Sequence, residues 1–361
     1  MDINLIAPIC NTGYGVVGLN LLLALERLGH VVCLYPRGRV EADQKYGNII
    51  QRAIDRRIRP NLDAPAVTLS QHAEPELLLT MGRGMSCGFV IFELDTIEDD
   101  ALYRFGALDR VFTCSDWGKR VLVDNGLAEE RVRVVPLGVD GTLFADPPEI
   151  PERNHDDTIF FSTGKFEARK GYDFLSVVFD KAFTPDDPVR LLLHAWNPFL
   201  DDEYNETWVN LFKNTAMGER VLISKGRYET QNPLASLMAQ ADCGVFLSRA
   251  EGWNLGLLEM MALGKPVIAT NYSGHTEFLN SDNCHLVEVP DVEPAQDGFS
   301  FQGQGNWGRL DVVQAEQAIR HMRQIHELKQ SGKLAPNTAG QETARRFSWD
   351  HAAEQLVAAV Q

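Results

Sequence analysis

The sequence predicts an α/β protein of two domains, each built on a parallel β-sheet. The chain has 361 residues, which suits two domains of roughly 150 to 200 residues each. Strand-like and helix-like segments alternate along the chain, which is typical of parallel sheets covered by helices. Residues 145–157, rich in proline and charge, interrupt this alternation and are the best candidate for a linker.

Apolar runs predict the strands of the first domain. They cover residues 2–9, 30–36, 77–81, 88–94, 110–115 and 131–138. Residues 117–126 have helical spacing and end at a glycine, Gly126, which is a common helix stop. The first domain is therefore predicted to span residues 1–145.

The alternation restarts after the linker and predicts a second domain over residues 156–345. The strand-like runs are residues 158–166, 189–196, 219–226, 243–248 and 265–271. The helix-like runs are residues 170–183, 233–241 and 255–264. Each predicted helix follows a predicted strand or turn, as the connections of a parallel sheet require.

The charge of the chain limits its partners. The formal net charge of -16 argues against binding of nucleic acid or an anionic membrane by the whole surface. Residues 37–59 differ, because seven basic residues there face only three acidic ones. A solvated helix face or a patch for an anionic acceptor are both consistent with this stretch. Its arginines are Arg37, Arg39, Arg52, Arg56, Arg57 and Arg59.

The cysteines and the apolar segments favour a cytoplasmic location. The six cysteines are scattered and none has C-x-x-C spacing, so buried reduced thiols are expected. No signal-peptide pattern begins the sequence, and charged residues break the most apolar segment before it reaches the ~20 residues of a membrane span.

Three glycines near the start, Gly13, Gly15 and Gly18, have the G-x-G-x-x-G spacing of dinucleotide-binding loops. In such loops the first glycine ends the strand and an acidic residue ends the second strand. Here the five residues from Pro8 to Thr12 separate the body of the strand from Gly13, and the second strand ends in Pro36 and Arg37. An NAD(P)-dependent oxidoreductase therefore stays one alternative, and a loop for another anion or a sugar is the other.

The segment from Ser248 to Asn271 combines a strand end, two glycines, a helix start and two carboxylates. Glu251 precedes the predicted helix and Glu259 lies about one turn inside it. Free N–H groups at a helix N-terminus suit a phosphate, and carboxylates beside it suit sugar hydroxyls. Neighbouring Leu258 and Met260 indicate that the helix around Glu259 is largely buried.

This segment resembles the signature of the group 1 family of retaining glycosyltransferases, which use nucleotide-sugar donors. The resemblance implies the GT-B architecture, in which two Rossmann-like domains face each other across a cleft. Glu251 and Glu259 have the family's spacing of seven intervening residues. By resemblance, Glu251 contacts hydroxyls of the transferred sugar and Glu259 holds the ribose.

The stretch FSTGKFEARKGYDFL also resembles the family, at the turn where two basic residues five apart grip the diphosphate. Lys165 and Lys170 match those positions, and Gly164 and Gly171 match the flanking glycines. The first basic residue is more often arginine, so Lys165 replaces a bidentate fork with a point charge.

Further resemblances complete the expected site. Residues 226–228 (Gly226, Arg227 and Tyr228) match the region that contacts the nucleotide base, and residues 347–361 match a terminal helix that crosses back onto the first domain. The other donor-binding residues expected are Gly13, Tyr14, Gly15, Gly164, Trp253, Asn254, Leu255 and Gly256. Glu93, at the end of a predicted strand, is the candidate acceptor-side base, although the departing phosphate is an alternative proton acceptor.

No metal or other cofactor is expected, because the sequence has no D-x-D and no ligand-like spacing of histidine or cysteine. The expected partner is a nucleoside diphosphate sugar, UDP- or GDP-linked. The acceptor stays open among a saccharide, a lipid-linked glycan, a small molecule and a modified nucleic-acid base. A catalytically inactive nucleotide-sugar-binding protein is a further alternative.

Overall fold

The computed structural model describes residues 1–71, 73–147, 156–226 and 228–361, and within them the chain divides into two compact units. The first unit comprises Met1–Val139, Glu229–Gln231 and Arg346–Gln361. The second comprises Asp140–Tyr228 and Asn232–Arg345. Residues 148–155 of the predicted linker lie outside the described residues.

Each unit contains one parallel sheet of six strands. In the first unit these are β1 (Asp2–Ala7), β2 (Val31–Pro36), β3 (Ala66–Leu69), β4 (Ser86–Phe89), β5 (Arg110–Thr113) and β6 (Val132–Val134). In the second they are β7 (Thr158–Gly164), β8 (Val189–Ala195), β9 (Val221–Ser224), β10 (Cys243–Phe246), β11 (Val267–Asn271) and β12 (His285–Glu288). An antiparallel hairpin follows, β13 (Val292–Gln296) and β14 (Gln302–Gly308).

Helices connect the strands, as parallel sheets require. Their bounds are α1 (Gly13–Arg27), α2 (Gly47–Asp55), α3 (Asp99–Gly106), α4 (Asp116–Asp124), α5 (Gly141–Ala145), α6 (Tyr172–Ala182), α7 (Asp202–Lys213), α8 (Asn232–Ala239), α9 (Leu255–Ala262), α10 (Val312–Gln330), α11 (Thr338–Arg346) and α12 (Trp349–Ala359). Helix α5 belongs to the second unit and packs against α9. Among the described residues, no helix is both long and apolar enough to cross a bilayer.

The first sheet has the strand order β2-β1-β3-β4-β5-β6. Helix α1 packs closely on the loop that follows β1, and two of its glycines allow this. A Cβ on Gly15 would lie 2.3 Å from the carbonyl oxygen of Cys10, and one on Gly18 would lie 2.2 Å from that of Pro8. Nothing lies within 4 Å of the Cβ position of Gly13. Close packing therefore requires Gly15 and Gly18, whereas Gly13 borders open space.

The terminal helix α12 packs against α1 within the first unit. Arg27 of α1 forms an ion pair with Asp350 of α12. Val139 pairs with Ser348 in a short parallel bridge, and a Cβ on Gly138 would lie 2.3 Å from the backbone nitrogen of Trp349. The chain thus returns to the first unit after it has completed the second.

One predicted strand of the first unit is wrong. Residues 77–81 form no strand, because Pro75–Leu78 make a 3₁₀ turn in which only Leu77 is buried, and Leu79 is 51% exposed. The strand at this point of the sheet is β3, just after Pro65. Its four residues are too short a run to stand out in the sequence, although all four are buried.

The second sheet has the order β12-β11-β10-β7-β8-β9. The chain moves outward in one direction from β7 and in the other from β10, so these two neighbours form the topological switch point. Ligands of open parallel sheets bind outside the carboxyl ends of the strands at this point. The core beneath it is rich in aromatic residues, including Phe160, Tyr172 and Phe212.

Candidate functional site

The turn after β7 carries both predicted lysines. β7 ends at Gly164 with φ of +143°, and Gly171, with φ of +69°, opens α6. A Cβ on Gly171 would lie 1.9 Å from the carbonyl oxygen of Leu247, so only glycine lets this turn pack against the chain after β10. The side chain of Lys170 folds back beside Gly164, whose Cβ position lies 3.3 Å from Lys170 Cε. The two glycines therefore set the path of Lys170.

Glu251 lies in the loop after β10, where Lys170 reaches it. Lys170 Nζ donates to both carboxylate oxygens, at 2.7 and 2.9 Å. Ser248 Oγ donates to Oε1 at 2.7 Å, and the backbone N–H of Glu251 donates to Ser273 Oγ at 2.8 Å. Ser273 has φ of +66°, which is strained for a residue with a side chain. The strand order of the sheet thus brings Lys170 and Glu251 together.

Glu251 is held as a carboxylate. Burial on its own raises the pKa of this group, but the positive charges of Lys170 and Arg169 outweigh burial and lower the pKa to about 2. Glu251 is therefore ionised throughout the physiological range of pH. A fixed carboxylate of this kind accepts hydrogen bonds, which is what sugar hydroxyls offer.

Glu259 lies within α9 and is as buried as Glu251, with exposed fractions of 6% and 4%. Burial raises the pKa of Glu259 to about 8. In the unliganded protein at neutral pH, Glu259 therefore carries a proton. The two predicted carboxylates have opposite protonation states.

The N-terminus of α9 starts in a left-handed residue, Asn254, with φ of +76°. The Asn254 side chain caps the helix by accepting the N–H of Leu257 at 3.3 Å. Gly256 packs against β7, because a Cβ there would lie 2.7 Å from Thr163 Cγ2. The predicted residue Trp253 is buried against the ring of Phe278. The first N–H groups of α9, from Leu255 onward, belong to the same switch point.

Tyr228 follows β9 and stacks on His194 at the end of β8. The two rings are 4.6 Å apart and tilted by 6°, and the Tyr228 hydroxyl lies 3.2 Å from Ser224 Oγ. Gly226 has φ of +90° and open space at its Cβ position. Arg227 lies outside the described residues. The histidine of this stack was not predicted, although it ends a strand next to β7, where ligand contacts concentrate.

Lys165 pairs with a residue that the sequence did not single out. Lys165 Nζ lies 2.5 Å from Glu167 Oε1 and over the ring of Phe199. Glu167 is buried, and its other oxygen accepts from Arg169 Nη2 at 2.9 Å. Arg169 in turn donates to Glu251 Oε2 at 3.2 Å. The one available sequence signal was the alternation of charge in K-x-E-x-R-K.

The predicted residues Gly13, Tyr14 and Glu93 belong to the first unit. The Tyr14 hydroxyl donates to the carbonyl oxygen of Ile91 and accepts from the Ile91 N–H, so its hydrogen bonds are made within this unit. Burial, and next the charge of Glu93, raise the pKa of Tyr14 well above its usual value. Tyr14 and Glu93 are thus neighbours, while Gly13 stays open at the start of α1.

The predicted basic patch is partly neutralised. Arg37 donates to Glu74 at 2.9 Å and to Ser70 Oγ at 2.6 Å. Arg52 and Arg56 both pair with Glu26. Binding of an anionic acceptor by this stretch would therefore depend mainly on its other arginines, Arg39, Arg57 and Arg59.

In the part of the chain that the structure describes, histidine, cysteine, aspartate and glutamate side chains form no cluster that fits a metal ion. The cationic groups at the switch point are Lys165, Arg169 and Lys170. Of these, Lys165 and Lys170 are the side chains predicted to contact a diphosphate.

The fold resembles that of known glycosyltransferases. The chain superposes on the crystal structure of Anabaena HepE in complex with UDP and glucose with a TM-score of 0.68, over 99% of this chain and 98% of that chain, at 15% sequence identity. The chain therefore has the GT-B fold.

Sequence comparisons match part of the chain to a known family and to curated relatives. The model for "Glycosyl transferases group 1" matches residues 146–299. Mannosylfructose-phosphate synthase of Agrobacterium fabrum is 25% identical over 215 residues, 55% of this chain and 46% of that protein. D-inositol 3-phosphate glycosyltransferase of Jonesia denitrificans is 26% identical over 243 residues, 63% of this chain and 51% of that protein. The chain spans about half the length of these curated relatives.

Proposed function

We propose that the protein transfers a hexose from a nucleoside diphosphate sugar, UDP- or GDP-linked, to an acceptor with retention of anomeric configuration. The observation that carries this proposal is the pairing of Lys170 with Glu251 at the switch point, beside the N-terminus of α9. A cation for the diphosphate and an ionised carboxylate for the sugar then lie next to each other. The Anabaena neighbour was also solved with UDP-glucose, which supports a donor of this class.

Each predicted residue has a chemical task in this proposal. Lys165, Lys170 and the first N–H groups of α9 stabilise the diphosphate as it gains charge, which is commonly the largest catalytic contribution. Glu251 orients the sugar through its hydroxyls. Glu259 accepts hydrogen bonds from the ribose, and Tyr228 lies where the base is expected.

The proposed transfer breaks the bond between C1 of the sugar and the β-phosphate oxygen. A new bond forms between C1 and the acceptor oxygen on the same face of the sugar. The proton of the acceptor hydroxyl passes to the departing phosphate or to Glu93. A Glu93→Gln variant with normal turnover would assign this proton to the phosphate.

A donor screen tests the proposal. The purified protein is incubated with UDP- and GDP-sugars, with and without EDTA, and release of the nucleoside diphosphate is measured. We expect release from one nucleotide class and the same rate in EDTA. Loss of activity in EDTA that magnesium restores would overturn metal-independent transfer.

Thermal shift separates the two other hypotheses, because a ligand that binds the native state raises the unfolding midpoint. A shift with nicotinamide cofactors and none with nucleotide sugars would favour an oxidoreductase that uses Gly13, Gly15 and Gly18. A shift with nucleotide sugars without turnover on any acceptor would favour an inactive binding protein. The family match favours transfer over both.

A further inference from the structure

Five charged side chains form a chain of alternating sign along the switch point. Lys165 pairs with Glu167 at 2.5 Å, Glu167 with Arg169 at 2.9 Å, Arg169 with Glu251 at 3.2 Å and Glu251 with Lys170 at 2.7 Å. The two lysines proposed to hold the diphosphate stand at the ends. Arg169 stands in the middle and touches both carboxylates.

Arg169 is an unusual residue for this position because it is 4% exposed. Burial of a guanidinium is unfavourable unless its N–H groups are bonded. Here Nη1 donates to the carbonyl oxygen of Ala250 at 2.8 Å and to Glu251, while Nη2 donates to Glu167. The planar fork lets one cation serve two carboxylates, which an ammonium group cannot match.

The neighbouring Arg249 provides an internal comparison. Its Nη1 donates to the carbonyl oxygen of Ala168 at 2.6 Å, and its backbone N–H donates to that of Arg169 at 2.7 Å. Both arginines thus form hydrogen bonds that link the turn after β7 to the loop after β10. The carboxylate partners of Arg249, however, are Asp173 and Glu293, which lie outside the chain of five charges.

We propose that Arg169 is a positioning residue that keeps Glu251 ionised and correctly oriented once a bound diphosphate draws Lys170 away. This inference rests on the proposed function. In the unliganded protein Glu251 has two cationic partners, but a phosphate competes for Lys170 because it is also an anion. Arg169 is held more firmly, since Nη1 donates to the Ala250 carbonyl oxygen and to Glu251 while Nη2 donates to Glu167. It is therefore the cation that stays with Glu251 during transfer.

The groups that face Glu251 allow a clear pH test. Lys170 and Arg169 come from the turn before α6, Tyr172 from α6 itself and His275 from the turn after β11. Burial lowers the pKa of His275 and raises that of Tyr172, so burial favours the neutral form of both. Loss of a cation raises the pKa of a carboxyl, by about 1 unit or more for a close partner.

The experiment is a profile of kcat against pH for the wild type, Arg169→Gln, Arg169→Lys and Arg249→Gln. We expect Arg169→Gln to lower kcat on the order of 10- to 100-fold, as loss of a supporting partner typically does. The acid-side fall of kcat should also move upward by about 1 pH unit or more, because Glu251 then takes up a proton more easily. The KM for the donor should change less than kcat.

The other two variants separate positioning from general stability. Arg169→Lys keeps the charge, so its acid-side fall should stay near that of the wild type while kcat is reduced. Arg249→Gln should leave the acid-side fall unchanged. An unshifted profile in Arg169→Gln, or an equal shift in Arg249→Gln, would overturn the proposal. A wild type without turnover on any donor would instead overturn the proposed function.

Discussion

Glu251 and Glu259 are the same residue type, equally buried and only eight positions apart, yet their protonation differs. The loop that carries Glu251 faces Lys170 and Arg169, and the pKa of this carboxyl falls to about 2. The helix that carries Glu259 is lined by Leu258, Met260 and Met261, and burial raises the pKa there to about 8. Both carboxyl groups are buried, so the cations beside Glu251 account for the difference in pKa.

The two carboxyl groups are prepared for a ligand in different ways. Glu251 is ionised and oriented before any donor arrives, as a group that acts in the transition state should be. Glu259 is neutral until a partner stabilises its charge. In the proposed function, Glu251 is in place for the transfer step before the donor binds, whereas Glu259 ionises when the ribose binds.

The largest effect is expected from Glu251→Gln. The amide cannot balance Lys170 and Arg169, which leaves Lys170 without its carboxylate partner and Arg169 with Glu167 alone. We expect transfer to fall on the order of 10² to 10³-fold, as when one preorganised group is lost. The measurement is nucleoside diphosphate release under saturating donor. An unchanged rate would contradict the assignment of this whole site.

Binding of UDP or GDP alone provides the control for that variant. Since Glu251→Gln releases Lys170 from its carboxylate, calorimetry should give a nucleotide affinity equal to or above that of the wild type. Glu342→Gln, an exposed glutamate on α11, should change neither quantity. A joint loss of rate and affinity would mean that the variant has disturbed the fold.

A separate effect, on stability rather than on rate, is expected from Glu259→Gln. The pKa of Glu259 is raised in the folded state, so the folded protein keeps this proton at pH values where the unfolded chain has released it. The stability of the wild type therefore falls between about pH 4.5 and pH 8. The neutral amide removes this dependence. At pH 9 the free energy of unfolding of the variant should exceed that of the wild type by about 4 to 5 kcal/mol, since the pKa rises from 4.5 to about 8 and each unit is worth about 1.4 kcal/mol.

Denaturant unfolding at pH 5 and pH 9 measures this difference. Near pH 5 the two proteins should be almost equally stable, because Glu259 is then protonated in the folded wild type. Glu342→Gln again supplies the matched control. A stability gain that is as large at pH 5 as at pH 9 would show that ionisation of Glu259 is not its cause.

The same carboxyl predicts a pH effect on nucleotide binding. Ribose hydroxyls donate best to an ionised carboxylate, so binding at neutral pH first requires loss of the proton from Glu259. Wild-type affinity for the preferred nucleotide should therefore rise about tenfold from pH 7 to pH 9. Calorimetry measures it, and Glu259→Gln should bind weakly without this rise. A flat wild-type profile would argue against a ribose contact.

Some of this arrangement follows from the sequence, and some does not. Lys170 and Glu251 follow strands that a parallel sheet places side by side, and the apolar neighbours of Glu259 indicated its burial. Arg169 was missed because an arginine next to a lysine in a turn normally lies in solvent. Strand β3 was missed because four residues form no pattern, and residues 77–81 misled because only Leu77 points inward. The structure of such short segments is determined by strand pairing with residues far away in the sequence.

The smallest effect is expected from Lys165→Arg, which changes the far end of the charge chain. Lys165 is 41% exposed at its side chain and bound to Glu167, so it contributes a point charge at the rim of the site. A guanidinium could keep Glu167 and also offer a fork to phosphate. We expect the donor KM to fall about twofold with kcat unchanged, because the gain is the same in the ground and transition states. If the donor KM rises instead, the pair with Glu167 requires the compact ammonium group. The paired charges that begin at Glu251 then influence donor binding as far as Lys165 at the rim of the site.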